Sequence, residues 1–491
     1  MTGEAPRVND ALQDSYNDVP YVSAPDPARH PDRLATIGTL FGLDVAPLAA
    51  CRVLEIACGD GSNLIPIAAA LPHASFTGFD FAAQPLARAR RMADGLGLSN
   101  LRLLECDLRA LPADLGHFDY VIAHGLYSWV PADVRAHVLP MIAQHLAPNG
   151  VAFVSYNTLP GCRLRAAAWD MIRHHTHDVA DRRAKVAAAR TLLELAGMPV
   201  AGDDALQQAM RAEFRNASAA SDSALAHDDL AELNHPLLFS DFAADAAGAG
   251  LAYVAEAHSG AGSDRGLAEP VRKALAQLDR LAREQYLDFV RLRHYRESLL
   301  CHANALPRFD VRPERASGLY AVPSLATRRA HDANAPSPAT GEDAAAITRY
   351  LLERWPASVP LAELAEWHAR RPAGNGKAAR PIEDWIVELD AAGIVDLRTR
   401  SIDPVTVPGE RPEVFAPARW LAREREVIPS LYHEGLRFQD PEARTLIALL
   451  DGTRTRDAIA QALGGVVTSP AGRARLDAAL QVLARKALLV A

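Results

Sequence analysis

A glycine turn between an apolar strand and a helix is the stretch of this sequence best suited to chemistry. It runs from Val53 to Asn63 and reads Val-Leu-Glu-Ile-Ala-Cys-Gly-Asp-Gly-Ser-Asn. The apolar residues are typical of a buried parallel strand, and Gly59 and Gly61 let the backbone approach a ligand closely. Ser62 or Asn63 can then cap the following helix. The pattern predicts a loop that cradles a nucleotide-like ligand.

The spacing of the glycines narrows the choice of ligand. A dinucleotide fingerprint G-x-G-x-x-G that starts at Gly59 requires a glycine at position 64, where the sequence has Leu64. The nicotinamide interpretation therefore lacks its third glycine, and S-adenosylmethionine becomes the better candidate.

Acidic residues along the predicted strands support this interpretation. Asp80 closes the second strand, where its carboxylate can accept hydrogen bonds from both ribose hydroxyls. Asp107 follows the third strand and is placed to accept from an adenine amino group, with Leu108 beside the ring. Glu55, inside the first strand, is out of place in a core unless it holds the loop amides or the amino group of a methionine moiety. One aspartate after a strand usually serves a turn, but three acidic positions together predict one adenosine-shaped slot.

Two other groups of reactive side chains receive simpler interpretations. Cys58 is read as a small apolar thiol that fills the loop rather than as a nucleophile. His174, His175 and His177 suggest a metal by composition, but neighbouring histidines on a helix point in different directions, and we predict no metal site.

The predicted slot gives a set of residues for the methyl donor. We expect S-adenosylmethionine to be bound by Glu55, Ala57, Cys58, Gly59, Asp60, Gly61, Asn63, Asp80, Phe81, Gln84, Asp107, Leu108, His124 and Gly125.

Length and composition bound the class of protein. The 491 residues leave room for about three domains, and a net charge of −8 argues against a general nucleic-acid binder, whose surface would be basic. The five cysteines contain no C-x-x-C pair, which is typical of free thiols in a reducing compartment. No stretch approaches the ~20 apolar residues of a membrane span. We therefore expect a cytoplasmic protein with no membrane span and no nucleic-acid partner.

The order of strand and helix patterns predicts an α/β fold. From residue 52 to residue 156 strands alternate with helices, which implies a Rossmann-like parallel sheet covered on both faces. Strand patterns return at 251–256 and 295–301, with one helix predicted over 268–290, and these strands would complete a seven-stranded sheet. The Ala-, Arg- and Leu-rich stretch in between is helical by propensity. Its apolar faces must pack on the core or on a second copy, and we favour a homodimer.

The last third of the chain has a different organisation. A proline-rich linker is predicted from about residue 303 to 341, followed by three helices and a strand that resemble a winged helix. The helix after Pro381 carries Glu383, Asp384, Glu388 and Asp390, which would repel phosphates. The predicted segments are 1–162 (first part of the core), 163–238 (helical regulatory or dimerisation insertion), 239–302 (end of the core), 303–400 (linker and winged-helix-like middle domain) and 401–491 (C-terminal winged-helix-like domain).

Several short motifs are spread over the first three hundred residues. They are Tyr16-Asn-Asp-Val-Pro-Tyr21, His30-Pro-Asp-Arg-Leu34, Glu55-Ile-Ala-Cys-Gly-Asp-Gly61, Ala123-His-Gly-Leu-Tyr-Ser-Trp-Val-Pro131, Ser155-Tyr-Asn-Thr158, Asn234-His-Pro236, Phe239-Ser-Asp-Phe242 and Glu284-Gln-Tyr-Leu-Asp-Phe289. Together they resemble the motifs of class I S-adenosylmethionine-dependent methyltransferases that carry a methyltransferase regulatory domain, and in particular the rickettsial-type protein-lysine methyltransferases. The likeness covers about residues 15 to 302, is weaker beyond 340, and departs from the common loop at Ala57, where a glycine is usual.

The resemblance implies methylation of lysine side chains in a protein substrate, of the outer-membrane type in the best-known members. Transfer from a sulfonium to an amine is an in-line displacement, so the protein must align the amine and remove its proton. An aromatic, partly dry channel can hold the cation on ring faces and then orient the neutral amine. We expect the acceptor channel to contain Tyr16, Tyr21, Tyr127, Trp129, Tyr156 and Asn157.

Two other functions remain open at this point. The core fold does not fix the acceptor, so a small-molecule methyltransferase is the nearest rival. The other is a non-catalytic scaffold that binds S-adenosylmethionine and contacts proteins through its C-terminal modules. The intact Asp80 and Asp107, together with the aromatic residues, favour an active enzyme.

Overall fold

The computed structural model describes residues 24–258, 260–305, 311–336, 339–371, 380–464 and 470–491. Tyr16 and Tyr21, both expected near the acceptor, lie outside the described residues.

A seven-stranded sheet forms the centre of the first three hundred residues, in the order β3-β2-β1-β4-β5-β7-β6. Strands β1 to β5 are parallel, whereas β7 runs antiparallel to both β5 and β6. The seven-stranded, Rossmann-like sheet predicted from the sequence is confirmed. The strands are β1 (Arg52–Ile56), β2 (Ser75–Asp80), β3 (Leu101–Glu105), β4 (Phe118–Ala123), β5 (Leu146–Asn157), β6 (Leu251–Glu256) and β7 (Tyr295–His302).

Helices cover both faces of the sheet, and an apolar core fills each face. The central strand β1 is buried except at its first residue, because its alternate side chains point into both cores. The helices of this region are α1 (Pro31–Leu40), α2 (Leu64–Ala70), α3 (Ala83–Gly95), α4 (Ala132–His145), α9 (Phe239–Gly248), α10 (Glu269–Leu275) and α11 (Arg280–Arg291).

Four helices and a π-turn form the insertion between β5 and α9. They are α5 (Cys162–His175), α6 (Arg182–Ala196), α7 (Ala205–Ser218), the short α8 (Asp222–Ala224) and the π-turn at Leu225–Asp229. They bury a small apolar core of their own. One end of the insertion leaves large apolar side chains exposed.

The predicted helix over 268–290 is wrong, because two helices occupy this stretch. Helix α10 ends at Leu275, and Asp279 caps α11 by accepting a hydrogen bond from the amide of Ala282 at 3.0 Å. An aspartate at this position favours a new helix start over continuation.

The predicted linker also contains more structure than its prolines indicate. Residues Tyr320–Pro323 form β8, which pairs antiparallel with β10 (Val395–Arg398), and Leu325–Asp332 form α12. Pairing over a sequence distance of this size cannot be read from local composition. The remaining elements of the middle region are α13 (Glu342–Arg354), β9 (Val359–Pro360), α14 (Leu361–Ala369) and α15 (Ile382–Ala391).

The C-terminal elements pack directly on the sheet's own helices. Ile65 of α2 and Ala89 and Met92 of α3 share one apolar cluster with the C-terminal residues. In the described chain, no helix combines the length and the apolar character needed to cross a membrane. The C-terminal elements are α16 (Ala416–Ala422), β11 (Val427–Pro429), β12 (Gly435–Arg437), α17 (Pro441–Leu449), α18 (Arg456–Ala462) and α19 (Pro470–Arg485).

Candidate functional site

A cleft opens where β1, β2, β3 and β4 end, at the carboxyl edge of the parallel strands. This is the edge at which open α/β sheets bind ligands. Of the residues expected to bind the donor, those that line the cleft are Glu55, Ala57, Cys58, Gly59, Asp60, Asp80, Phe81, Asp107, Leu108, His124 and Gly125. Most of the residues that the sequence predicted to bind the cofactor therefore line this cleft.

The loop from residue 57 to residue 63, called here the glycine loop, turns sharply between β1 and α2. Gly59 and Gly61 have positive φ angles of 54° and 71°. A Cβ atom at Gly61 would meet Ile65 at 2.6 Å, so this glycine is needed for close packing of the loop on α2. Ala57 also has a positive φ of 55°, which costs an alanine about 1–2 kcal/mol. The loop retains the common glycine-type backbone at Ala57 despite the methyl group.

Asp80 holds the backbone around the cleft. One of its carboxylate oxygens accepts from the amide of Gly59 at 2.8 Å, and the other accepts from the amide of Ala82 at 2.8 Å. Burial raises the pKa of Asp80, whereas these amides favour its ionised form. Each oxygen keeps a second lone pair, so Asp80 can still accept from ligand hydroxyls.

Glu55 has an unsatisfied carboxylate oxygen. Its Oε1 accepts from Nδ2 of Asn63 at 3.0 Å, whereas Oε2 is buried without a hydrogen-bond partner. The side chain lines the cleft and is 4% exposed. Burial raises the pKa of Glu55 to about 8. The suggestion that Glu55 holds the loop amides is wrong, because its Oε1 accepts from the Asn63 side chain and the Gly59 amide donates to Asp80.

Asp107 is fixed by a neighbouring cation. Its Oδ2 pairs with Arg109 at 2.7 Å, and Oδ1 accepts from the Arg109 amide at 2.8 Å. The hydrogen bond from the Arg109 side chain lowers the pKa of Asp107. The carboxylate is therefore ionised and oriented at the cleft wall, beside the apolar side chain of Leu108.

His124 is a neutral histidine in the cleft wall. Burial holds its pKa well below the usual range, and Arg29 adds repulsion against a positive charge. Its Nδ1 lies 3.2 Å from Oγ of Ser155 and 3.3 Å from the hydroxyl of Tyr295. Ser155 also accepts from the Gly125 amide at 2.9 Å, so one hydroxyl fixes both predicted residues.

Three of the expected donor-binding residues do not line the cleft. Gly61 and Asn63 belong to the second half of the glycine loop, outside the cleft lining, and Asn63 bonds Glu55 instead of capping α2 with its side chain. Gln84 is exposed on the first turn of α3. Asn63 therefore acts on the cleft through Glu55.

Trp129 is the one described aromatic residue of the expected acceptor channel that lines the cleft. Tyr156 instead is fully buried, stacks on Phe242 with ring centroids 4.0 Å apart, and shares a 3.0 Å hydrogen bond with Ser298. Tyr127 is buried beside them and donates to Asp245 at 3.0 Å. Burial raises the pKa of both phenols. Their expected position at the ligand edge is corrected, because α9 covers them.

Asn157 also lies outside the cleft lining. Its side-chain amide donates to Oδ1 of Asn234 at 2.9 Å, and its backbone amide donates to Ser128 at 2.9 Å. Asn157 thus joins the end of β5 to the segment before α9. The hydrogen bond to Asn234 satisfies the buried amide of Asn157, so its burial needs no ligand as an explanation.

The insertion supplies two cleft residues that sequence reasoning missed, His227 and Asp228. Both lie in the π-turn, a local geometry that often marks a functional site. The next residue, Asp229, is 2% exposed. Its carboxylate accepts hydrogen bonds from Nε of Arg165 at 2.8 Å and from the Trp169 indole at 2.9 Å. These bonds fix the turn. The run His-Asp-Asp among apolar residues was the available signal.

The side chain of Asp228 makes no hydrogen bond or ion pair with any residue that the structure describes. Burial raises its pKa to about 7, the negative charge of Asp229 adds to the rise, and Arg165 opposes it. A carboxylate in this state can take up a proton or hold a cation near neutral pH. Apolar side chains of Leu126, Val130, Pro131 and Val134 complete the adjoining wall.

One cluster of metal-type ligands lies away from the cleft. The ligand atoms of Asp26, His258 and Glu297 lie within 4.8 Å of one another. His258 Nε2 and Glu297 are 2.7 Å apart, and this hydrogen bond raises the pKa of His258 to about 9. His258 is therefore paired with Glu297 as a charged imidazolium.

Three family models match separate parts of the chain. They are a methyltransferase domain over residues 53–150, a predicted methyltransferase regulatory domain over 221–302 and the C-terminal winged helix domain of PKMT over 410–471. The first match ends within the described sheet and contains the glycine loop. The second contains the π-turn.

Two uncharacterized proteins of Rickettsia prowazekii are similar in sequence. One is 33% identical over 298 residues, which span 58% of this chain and 52% of that protein. The chain thus aligns with about half of that relative's length. The other is 32% identical over 235 residues, which span 46% of this chain and 92% of that protein.

Solved structures with the same fold cover nearly the whole chain. PKMT2 from Rickettsia typhi superposes with a TM-score of 0.83 at 23% identity, covering 96% of this chain and 100% of that one. The same protein in complex with AdoHcy gives a TM-score of 0.82 at 24% identity. The likeness extends the shared fold from the sheet to the C-terminal elements.

Proposed function

Because the chain belongs to the class I S-adenosylmethionine-dependent methyltransferases that carry a methyltransferase regulatory domain, we propose that it methylates the side-chain amine of lysine in a protein substrate. Its family cofactor is S-adenosylmethionine. The single observation that carries the proposal is a cleft lined by two carboxyl groups. One belongs to Glu55, just before the glycine loop, and has a buried oxygen without a hydrogen-bond partner; the other belongs to Asp228 of the insertion.

The residues of the cleft fit S-adenosylmethionine. The buried Oε2 of Glu55 lacks a partner, which the amino group of the methionine moiety would provide. Asp80 would accept from the ribose hydroxyls, and Asp107 and Leu108 would face the adenine. When bound, this cofactor supplies an electrophilic methyl group on a sulfonium. Substitution at that methyl needs an aligned nucleophile and no covalent bond to the protein.

The acceptor amine must lose its proton before it can react. A free lysine has a pKa near 10.4, so presenting the neutral amine at pH 7 costs about 4–5 kcal/mol. We assign Asp228 to receive the ammonium and accept its proton, and Trp129 to hold the cation against its ring. The apolar wall beside them would lower the lysine pKa by excluding water.

The protein nature of the acceptor is supported by two observations. The sequence motifs resemble those of protein-lysine methyltransferases, and the fold matches PKMT2 along 96% of the chain. We propose an outer-membrane protein as the substrate class and the cytoplasm as the place of reaction. All five cysteines are free in the structure, in agreement with a reducing compartment.

A labelling experiment tests the proposal. The full chain is incubated with methyl-tritiated S-adenosylmethionine and unfolded outer-membrane proteins, and products are separated by size and hydrolysed. Radioactivity in methylated lysine is expected. Label confined to small molecules would replace the proposal with small-molecule methylation, and binding of the cofactor without any labelled product would favour a scaffold.

A homodimer through the insertion is the further part of this proposal. The exposed apolar side chains at one end of the insertion are each more than half exposed. A second copy of the same end would remove them from water. They are Leu195, Met198, Val200 and Leu206.

A further inference from the structure

The C-terminal domain, residues 410 to 491 here, contacts the back of the glycine loop. The ring of Trp420 lies so close to Gly95 that a Cβ atom there would be 2.1 Å from it. Together with the shared apolar cluster on α2 and α3, this contact fixes the domain against the sheet. Polar side chains from the same domain then reach the loop.

Arg425 is the first of these side chains. It donates to Oδ2 of Asp60 at 2.5 Å and to Oγ of Ser62 at 2.5 Å. The Asp60 side chain is 3% exposed and lines the cleft. Without Arg425 this carboxylate would be buried beside Glu55 and Asp80 with no cation bonded to it. Mutual repulsion would then favour a different loop arrangement.

His433 is the second, in the turn between β11 and β12. Its Nε2 lies 2.8 Å from Oδ1 of Asn63, and Nδ2 of Asn63 donates to Glu55 at 3.0 Å. Since the Asn63 amide nitrogen is used by Glu55, its oxygen must accept, and the His433 proton is therefore on Nε2. Burial keeps the pKa of His433 well below its usual range, so the ring stays neutral.

A continuous chain of hydrogen bonds therefore runs from the C-terminal domain to the cleft. It begins at His433, passes through Asn63 and ends at Oε1 of Glu55, which leaves Oε2 buried and unpartnered in the cleft wall. Rotation of Asn63 would release Glu55. The position of Glu55 is thus set by a residue 378 positions away in sequence.

We infer that Arg425 and His433 are positioning residues of the donor site, so that a docked C-terminal domain is required for tight binding of S-adenosylmethionine. The inference rests on the donor site of the proposed function. It assigns to the C-terminal domain a task in cofactor binding in addition to any contact with protein substrate.

Calorimetry with AdoHcy on full-length variants tests the inference. His433→Ala is expected to weaken AdoHcy binding about tenfold, because Asn63 loses the donor that orients it towards a charged group. His433→Gln, whose amide N–H can replace Nε2–H, should restore affinity to within about threefold. Arg425→Gln should also bind about tenfold more weakly. Arg437→Ala, on the neighbouring strand β12 and 60% exposed, is the matched control and should bind like the wild type.

Two readouts separate positioning from general damage. Hydrogen exchange of the amides of residues 57–63, measured without ligand, should accelerate in His433→Ala and Arg425→Gln but not in Arg437→Ala. The pH midpoint of AdoHcy binding should rise in His433→Ala, because Glu55 loses a hydrogen bond that favours its ionised form while Asp60 and Asp80 still repel it and Arg29 still attracts it.

The outcomes are distinct. The inference would be overturned if His433→Ala and Arg425→Gln both bound AdoHcy with wild-type affinity and exchanged their loop amides at the wild-type rate, and if the pH midpoint of His433→Ala were unchanged. If His433→Ala does not fold, Arg425→Gln decides. Weaker AdoHcy binding and faster exchange of residues 57–63 in that variant support the inference, and wild-type values of both overturn it. Failure of the wild type to bind AdoHcy would instead contradict the proposed function.

Discussion

Asp229 accepts a 2.8 Å hydrogen bond from Arg165, inside the helical insertion, and this bond fixes the backbone on which Asp228 faces the cleft. The insertion therefore forms part of the cleft wall. Under the proposed function, the chemical role falls to Asp228, whose side chain makes no hydrogen bond or ion pair with the described residues.

Asp228→Asn is expected to lower kcat about a hundredfold, because the amide cannot accept the lysine proton. AdoHcy affinity should stay within about threefold of the wild type. Since the ionised carboxylate is the active form and its pKa is about 7, wild-type kcat should fall as the pH drops below that value. This fall should be absent in the variant, as a pH–rate profile will show.

Asp222→Asn is the control for this prediction. Asp222 lies in the same insertion, three residues before the π-turn, but its side chain is 78% exposed and pairs with Arg190. Equal losses of kcat in the two variants would remove Asp228 from the site.

The affinity for AdoHcy should depend on pH through Glu55. Its pKa of about 8 means that the unliganded side chain is mostly protonated at pH 7, whereas a bound ammonium group requires the carboxylate. Binding at pH 7 should therefore release close to one proton, and affinity should fall about tenfold per pH unit on going lower. Calorimetry in buffers of different ionisation enthalpy measures the released protons.

Glu55→Gln provides the comparison for the pH effect. The glutamine cannot ionise, so its affinity should be lower and independent of pH between 6 and 8. A wild-type affinity that is flat over the same range would exclude Glu55 as the group that receives the ammonium.

Tyr156→Phe should change stability rather than catalysis. The sequence alone predicts a slower turnover, but the phenol lies in the core and shares its hydrogen bond with Ser298. Its removal should lower the free energy of unfolding by about 1 kcal/mol and leave kcat nearly unchanged. Urea unfolding and steady-state kinetics test this, with the exposed Tyr286→Phe as control. A large loss of kcat at unchanged stability would return Tyr156 to the acceptor channel.

Leu206→Asp should separate the proposed dimer into monomers. Leu206 is 65% exposed at the end of the insertion, and an aspartate there would place two charges in a shared apolar contact. Light scattering after gel filtration should give twice the chain mass for the wild type and the chain mass for the variant. Val407→Asp, at a side chain that is 75% exposed elsewhere, should remain dimeric. A monomeric wild type would refute the dimer.

Local patterns were sufficient for the sheet and the glycine loop. Apolar strands, Gly59, Gly61 and the acidic residue at each strand end have short-range signatures, and Asp80 lies at the cleft as expected. The position of Tyr156 could not be read in this way, because the covering helix α9 returns to β5 only after the insertion.

The contributions from distant segments had no sequence signal of comparable strength. The contact of Arg165 with Asp229 joins residues 64 positions apart, and that of His433 with Asn63 joins residues 370 positions apart. Each depends on how whole segments dock, which propensity and periodicity do not specify. The sequence therefore gives the wall made by the strands and misses the wall made by the insertion.

The apolar cluster that Ile65, Ala89 and Met92 share with the C-terminal elements limits how far this protein can be shortened. A chain shortened after β7 would keep every strand of the seven-stranded sheet. It would, however, expose to water the apolar surface of α2 and α3 that the C-terminal elements cover. Such a truncated protein would be expected to aggregate. Minimal catalytic units of the kind often cut from modular enzymes are thus not accessible by trimming this one from its C-terminus.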